Sequence, residues 1–229
     1  MSSDDGRSSP YAFWAFYTLY KRLNGTAAAA KVSFDEVCEK LYPDYPVDPS
    51  SNTSLFVTWK KKSRGSSEYH LRGCIGTFAQ LPVVKGIERY SLIAALHDRR
   101  FSPISAAELN HLKCSCNILH NFETIYDGKG DIYDWQVGTH GIELEFRNPL
   151  TGRTLSSTFL PEVMPEQGWD QRETFLNLIE KAGVSTGVCG PAALLQDYEH
   201  YFVKVIRYEG RKSAITFEEF EEKLAELEA

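Results

Sequence analysis

The chain has 229 residues, of which 42% are hydrophobic and 24% are charged, ordinary values for a globular protein that buries its own core. Its 25 basic and 31 acidic residues leave a net charge of −6, which disfavours nucleic acid as a partner unless segment 60–64 (KKKSR) joins a basic patch. No apolar run has the length of a membrane helix or the character of a signal peptide, and five cysteines without framework spacing indicate an intracellular, reducing compartment.

The first helix is predicted directly after a polar tail. Residues 1–9 are rich in Ser, Asp and Gly, and we expect them to be disordered. Ser9 is a suitable N-cap, Pro10 a suitable first helical residue, and Asn24-Gly25 ends the helix. Aromatic residues cover most of the helix surface, which indicates that it is wedged into the core.

A short helix and a hairpin follow. Ser33 and Glu36 form a capping box for a helix that ends near Leu41, and the prolines that come next exclude regular structure. Alternating side chains then predict strands over 55–60 and 69–78, joined by a long charged tip.

The rest of the chain continues to alternate short strands and helices. The remaining predicted elements are strands at 112–122, 137–146, 154–159 and 199–208, and helices at 82–98, 171–182 and 217–227. Because hairpins dominate and βαβ alternation is not sustained, the predicted fold class is α+β, with a mainly antiparallel sheet flanked by helices.

The second strand of the hairpin carries the main candidate site. Strand alternation is expected to place His70, Arg72 and Cys74 on one face, with Leu71 and Ile75 on the opposite, core-facing side. Side chains two residues apart on a strand lie about 6–7 Å from each other, so the Arg72 guanidinium would favour the thiolate form of Cys74.

One interpretation of this strand is a ligand-binding site. Gly73 and Gly76 carry no side chain, so a ligand or another backbone could approach closely. Asp98, Arg99 and Arg100 at a helix end could hold an anion or form a salt bridge. The predicted ligand-binding residues are Arg72, Gly73, Cys74, Gly76 and Arg100.

A second interpretation is catalysis, with Cys74 as nucleophile or redox centre and His70 or His140 transferring protons. A third is structural only: a small buried cysteine and a surface arginine. No assembled catalytic motif of a common enzyme class is present.

Other polar motifs favour structural roles. Cys114 and Cys116 share the apolar face of a strand with His120, but a straight strand separates them too widely to bind one zinc ion. Residues 127–131 (DGKGD) lack the pattern of a phosphate or calcium loop and are predicted to be a turn. No metal site and no cofactor is predicted.

The hexapeptide Leu71–Gly76 (LRGCIG) resembles that of the AMMECR domain family, named for a protein encoded in the chromosomal region of the Alport, mental retardation, midface hypoplasia and elliptocytosis syndrome. The resemblance extends through segments 95–103, 137–142, 159–163 and 181–183. It implies one domain over 10–229, with a larger lobe, a smaller lobe and a cleft near the hexapeptide.

The resemblance does not imply a defined activity. Prokaryotic members are often encoded with a radical-SAM protein and a dioxygenase-like protein, which associates the family with small-molecule or redox chemistry. Vertebrate members are treated as nuclear or regulatory proteins. The combined prediction is a cytoplasmic or nuclear regulatory module that binds an unknown small molecule or protein around Arg72 and Cys74, with the Cys74 enzyme as the alternative.

Overall fold

The computed structural model describes residues 7–25, 32–63, 65, 67–184 and 190–228. It divides into two compact units. The terminal unit is built from described residues between Ser3 and Ile118 and between Arg211 and Ala229, and the central unit spans Leu119–Gly210. Over these described ranges, no helix combines the length and the apolar character needed to cross a membrane.

The elements follow the predicted order, with additional short helices. The α-helices are α1 (Pro10–Asn24), α2 (Phe34–Leu41), α3 (Val83–Leu96), α4 (Val163–Gln167), α5 (Gln171–Lys181), α6 (Pro191–Gln196), α7 (Tyr198–Tyr201) and α8 (Phe217–Glu228), and a 3-10 helix covers Ala106–His111. The strands are β1 (Asn52–Lys62), β2 (Tyr69–Pro82), β3 (Leu112–Tyr126), β4 (Gly141–Arg147), β5 (Thr154–Phe159) and β6 (Phe202–Thr216).

The strands form one six-stranded sheet in the order β2-β1-β3-β6-β4-β5. The pairs β1–β2, β4–β5 and β4–β6 are antiparallel. The predicted α+β class with a mainly antiparallel sheet is therefore confirmed. The strand order also makes β2, which carries the hexapeptide, an edge strand.

Local capping signals place the helix starts where the sequence predicts them. The Ser9 hydroxyl accepts a hydrogen bond from the Ala12 N–H at 3.1 Å at the start of α1. Reciprocal capping boxes open α2 and α5. These contacts satisfy N–H groups that have no partner inside the helix, so they stabilise the helix start locally.

The terminal unit has an aromatic core centred on α1. Phe13 and Phe16 of α1 are fully buried. The Phe16 ring stacks on Phe220 of α8 with centroids 4.7 Å apart, and it meets the edge of Trp59 of β1 at 5.2 Å. The prediction that α1 is wedged between other elements is confirmed, because helix and sheet aromatics pack on it from two sides.

The central unit has a separate core around Phe175 of α5. Its ring packs against Phe202 of β6 at 5.6 Å and against Trp135 at 6.2 Å. Leu178 and Ile179 of α5 are fully buried in the same cluster. Each unit thus contains its own apolar cluster, as a stable compact unit requires.

Several predicted boundaries are wrong for identifiable reasons. The strand predicted over 137–146 begins only at Gly141, because residues 137–139 form a turn in which Gly138 has a φ of 83°. The strand predicted over 199–208 begins at Phe202 and continues to Thr216. The 3-10 helix and α4, α6 and α7 are too short to show a helical period in the sequence.

The predicted disordered tail falls mostly outside the described residues, which begin at Arg7. The described end of the tail is bound to β6. The Arg7 carbonyl accepts a hydrogen bond from the Ala214 N–H at 3.0 Å, and the Ser9 and Ser213 hydroxyls lie 2.6 Å apart.

Candidate functional site

A β-bulge lies inside the hexapeptide. Gly73 of β2 pairs with Trp59 of β1, whereas Leu71 pairs with Lys60, so Arg72 is an extra residue on β2. An extra residue interrupts the alternation of side chains between the two faces of a strand. The side chains before and after the bulge therefore do not continue a single alternation between the two faces of β2.

The bulge overturns the predicted distribution of side chains. Leu71 is 42% exposed instead of facing the core, whereas Ile75 does pack against the core cluster. The Arg72 guanidinium is directed at Glu108, not at Cys74. The expected shared face of Arg72 and Cys74 is wrong because that expectation assumed an uninterrupted strand.

Arg72 belongs to a cluster that we call the Arg72 clamp, made of Arg72, Glu108, Lys61 and the Ser102 carbonyl. The guanidinium donates two hydrogen bonds to the Glu108 carboxylate, both at 3.1 Å, and one to the Ser102 carbonyl at 2.7 Å. Lys61 Nζ donates to the same carboxylate at 2.8 Å. The side chains of Arg72 and Glu108 are only 12% and 16% exposed, so the ion pair is shielded from solvent.

The electrostatics of Glu108 follow from these contacts. Burial acts to raise the pKa of this carboxyl, but the hydrogen bonds from Arg72, Lys61 and the Ser105 N–H outweigh it and lower the pKa to about 2. Glu108 is therefore a carboxylate at neutral pH, and it ties β1 and β2 to the 3-10 helix.

A second cluster, the Asp98 clamp, consists of Asp98, Arg100 and the backbone of Cys74. Asp98 Oδ2 accepts the Cys74 N–H at 2.9 Å, and Arg100 Nη2 donates to the Cys74 carbonyl at 3.0 Å. Arg100 also forms an ion pair with Asp98 at 2.6 Å. Both backbone groups of Cys74 are thus satisfied by side chains, where an edge strand would otherwise leave them open to another strand.

The two charged groups of the Asp98 clamp differ in exposure. The Asp98 side chain is 4% exposed, and the Arg100 side chain is 56% exposed. The hydrogen bond from Arg100 lowers the pKa of Asp98 well below its usual range, despite the opposing effect of burial. Asp98 is therefore a carboxylate at neutral pH, and it holds in place a guanidinium that remains largely accessible.

The Cys74 thiol lies next to Thr58 on the face of β1 opposite the helices. Val57 and Trp59 are fully buried in the core, so Thr58 between them faces the other way. Thr58 pairs with Cys74 across the strands, and its hydroxyl donates to the Cys74 sulfur at 3.1 Å. Cys74 is half-buried.

The hexapeptide glycines are required by packing. A Cβ on Gly73 would overlap the carbonyl oxygen of Ala94 in α3, and a Cβ on Gly76 would overlap the Phe56 ring. The close approach predicted for these glycines is observed, and the approaching groups belong to the protein itself. β2 can therefore lie directly against the α3 backbone.

The candidate histidines lie apart from the Cys74 hydrogen-bond contacts. His70 is 65% exposed, and its Nε2 lies 4.0 Å from a Glu68 carboxylate oxygen. His140 belongs to the central unit, and its Nδ1 accepts the Gln136 N–H at 3.0 Å. Among the described residues, the hydrogen bond to the Cys74 sulfur comes from Thr58, not from a histidine.

The remaining motifs take structural positions. Cys114 and Cys116 are buried in the terminal core, where burial raises the pKa of the Cys114 thiol. Residues 127–129 form a bend closed by a bridge between Tyr126 and Gly130. Glu108 was missed as a partner of Arg72, although its position three residues after Ser105 marks a capping box.

Comparisons with known proteins agree with this architecture. The model of the AMMECR1 family matches residues 13–212. The uncharacterized protein YOR289W of Saccharomyces cerevisiae is 54% identical over 233 residues, covering 97% of this chain and 91% of the relative. The uncharacterized protein At2g38710 of Arabidopsis thaliana is 45% identical over 138 residues, covering 60% of this chain and 62% of the relative.

A solved structure shares the fold. The crystal structure of the uncharacterized protein PH0010 from Pyrococcus horikoshii superposes with a TM-score of 0.59 at 23% identity, covering 89% of each chain. At this identity the likeness concerns the fold alone.

Proposed function

The chain belongs to the AMMECR1 family, as the hexapeptide indicates, and we propose that it is a regulatory binding module whose recognition surface surrounds Cys74 on β2. The bound group is a carboxylate or a similar anion, carried by a small molecule or by a partner protein. The described thiols are free, at Cys38, Cys74, Cys114 and Cys116, which supports a reducing compartment, the cytoplasm or the nucleus.

The observation that carries this proposal is the state of Arg100. Its Nε and Nη2 donate to Asp98 and to the Cys74 carbonyl, which fixes the plane of the guanidinium. The side chain nevertheless stays 56% exposed. A guanidinium held rigidly and open to solvent loses little conformational freedom when it binds a carboxylate, so it is a favourable anchor.

The other predicted ligand-binding residues have supporting roles in this proposal. The Arg72 clamp holds the bulge, and Gly73 and Gly76 allow β2 to pack closely. Cys74 provides the small side chain beside Arg100. Binding is favoured over catalysis because the two candidate proton-transfer groups, His70 and His140, contact Glu68 and the Gln136 N–H, whereas the Cys74 sulfur contacts Thr58.

A carboxylate titration tests the anchor directly. Isotope-labelled protein is titrated with succinate at constant ionic strength, and NMR follows the Cys74 amide and the Arg100 Nε–H. We expect saturable shifts that are lost in Arg100→Ala and strongly reduced in Arg100→Lys, because an ammonium cannot keep these bonds to Asp98 and Cys74 and also present the free Nη1–H donors in a fixed plane.

The control for this titration is Arg99→Ala, which removes an exposed charge one residue away and should leave the shifts unchanged. Mass spectrometry under native conditions then distinguishes a retained small molecule from a protein-borne carboxylate. Succinate shifts that persist in Arg100→Ala would contradict the proposal.

The alternative function, an enzyme that uses Cys74, has one observation in its favour. The Thr58 hydroxyl donates to the Cys74 sulfur at 3.1 Å, so a polar O–H group already contacts the atom that would react. In this alternative Cys74 is the nucleophile or redox centre of a reaction on a small molecule. Enzyme activity would then depend on the reactivity of the Cys74 thiol and not only on the size of its side chain.

Thiol labelling separates the two functions. With iodoacetamide at neutral pH, the binding module predicts slow labelling of Cys74, similar to that of Cys38, whose pKa burial raises to about 11. The enzyme predicts that Cys74 reacts faster than an unstructured cysteine peptide. Rapid labelling, together with loss of function in Cys74→Ser, would favour the enzyme.

A further inference from the structure

A cavity of about 720 Å³ lies at the loop end of the β1–β2 hairpin, within the terminal unit and apart from the Cys74 surface. Its lining includes Lys61 and Lys62 at the end of β1, Asn110 and His111 at the end of the 3-10 helix, and Glu218 in α8. This volume falls within the usual range for small-molecule sites, roughly 300–1,000 Å³. Polar and basic side chains dominate the named lining.

Two of the nearby cations share one aromatic ring. Lys62 Nζ lies 6.0 Å from the centre of the Tyr69 ring, and Lys113 Nζ lies 5.9 Å from the same centre. Both lysines are half-buried. Each ammonium group is within cation–π range of the ring, so both lysine side chains are held at this end of the hairpin.

These lysines have no acidic partner among the residues that the structure describes. Lys61, by contrast, is paired with Glu108 and is thereby fixed at the cavity wall. Unpaired, half-buried cations are unusual in a chain with a net charge of −6, and they identify this end of the hairpin as a local positive site.

Two glutamates, Glu218 and Glu219, oppose this field, and after burial both act to raise the pKa of Tyr69. Glu218 lines the cavity and is exposed. The neighbouring Glu219 accepts the Thr216 N–H at 2.9 Å as part of the α8 cap, so its position is set by the helix. Glu218 is therefore the acidic group whose removal should most increase the affinity of the cavity for an anion.

We propose that this cavity binds the phosphate or diphosphate group of a small molecule. Lys62 in the lining supplies charge directly, and Lys113, which contacts the Tyr69 ring outside the lining, supplies it from nearby. Lys61 adds a fixed ammonium, and the Asn110 and His111 side chains supply N–H donors. A nucleic-acid strand fits less well, because its backbone would extend beyond these few cations over a surface that is acidic overall. This site is independent of the proposed Arg100 anchor.

The test uses inorganic pyrophosphate on the full chain at constant ionic strength. Isothermal titration calorimetry should show saturable binding, and NMR should place the shifts at Ser63, Asn110 and His111. Lys62→Gln and Lys113→Gln should each weaken binding by about tenfold, which corresponds to ~1.4 kcal/mol. The control Lys40→Gln removes an exposed lysine of α2 and should leave affinity unchanged.

A gain of affinity provides a second, independent readout. Glu218→Gln should tighten pyrophosphate binding by about threefold, because it removes the opposing charge from the lining. Glu221→Gln on the same helix should have no such effect. Because neither substitution removes a cation or a buried side chain, loss of folding does not explain the expected result.

Three outcomes would overturn the proposal. The first is a linear, non-saturating response, which indicates ionic screening only. The second is an equal loss of affinity in Lys40→Gln. The third is tighter binding of a short single-stranded oligonucleotide than of pyrophosphate, with the same residues responding. Arg100→Ala should leave pyrophosphate binding intact, so failure here and failure of the carboxylate anchor are distinguishable.

Discussion

The Arg72 clamp and the Asp98 clamp both bind β2 through an arginine–carboxylate pair, but only the Asp98 clamp leaves a charged group exposed to solvent. In the Arg72 clamp both partners are shielded, with side-chain exposures of 12% and 16%. In the Asp98 clamp the carboxylate is 4% exposed and the guanidinium 56%. Exposure, and not the presence of an arginine–carboxylate pair, is what separates a structural clamp from a candidate binding group.

The physical reason is solvent competition. An ion pair shielded from water is costly to break, because the remaining charge stays buried without a partner. An exposed guanidinium is rehydrated when its partner is lost, so the loss costs little stability. The two clamps should therefore respond differently to mutation, which the following predictions test in order of decreasing effect.

The largest effect is expected for Glu108→Ala. It removes the carboxylate shared by Arg72 and Lys61 and should lower the free energy of unfolding by about 3–5 kcal/mol, measured by urea denaturation. Glu218→Ala, at an exposed glutamate, is the matched control and should change stability little. A loss below about 1 kcal/mol would show that shielding does not distinguish the clamps.

Acid should weaken the Arg72 clamp. The folded-state pKa of Glu108 is about 2, against an ordinary value of 4.5, so its contribution is complete above pH 4.5 and is lost as the pH falls toward 2. We expect a loss of roughly 2–3 kcal/mol over this window in denaturant titrations. Glu108→Gln should show a shallower decline, and an unchanged slope in this variant would contradict the assignment.

Asp98→Asn should have an intermediate effect. The amide can still accept the Cys74 N–H, but the ion pair with Arg100 is lost, so we expect a loss of about 1–2 kcal/mol. Hydrogen exchange of the Cys74 amide should become faster, by a factor that corresponds to a similar free energy. Asp98→Ala serves as the comparison, and it should be more destabilising because it also removes the acceptor.

The smallest effect on stability is expected for Arg100→Ala, about 1 kcal/mol, because water replaces the exposed guanidinium and the buried Asp98 carboxylate keeps its hydrogen bonds from the Cys74 N–H and the residue-100 N–H. Thermal unfolding measures this change, and the same variant is titrated with succinate. Retained stability together with lost carboxylate binding would show that Arg100 serves binding and not the fold. A stability loss as large as that of Glu108→Ala would instead make both clamps structural.

Much of the candidate site could be identified from the sequence, but its geometry could not. The sequence points to the hexapeptide, and it predicts Arg100 among the ligand-binding residues. The shared face of Arg72 and Cys74 was wrong because the bulge depends on how β2 pairs with β1. Glu108 was missed because it lies 36 residues from Arg72 and meets it only in the folded chain.

The sequence by itself determined the elements whose signals are local. Ser9 and the Ser33–Glu36 box start helices through contacts three residues away, and alternation predicts the hairpin through neighbouring side chains. Only the tertiary structure decided which arginine is shielded and which is open, because exposure depends on segments distant in sequence. This packing pairs Arg72 with Glu108 and leaves the Arg100 guanidinium accessible to solvent.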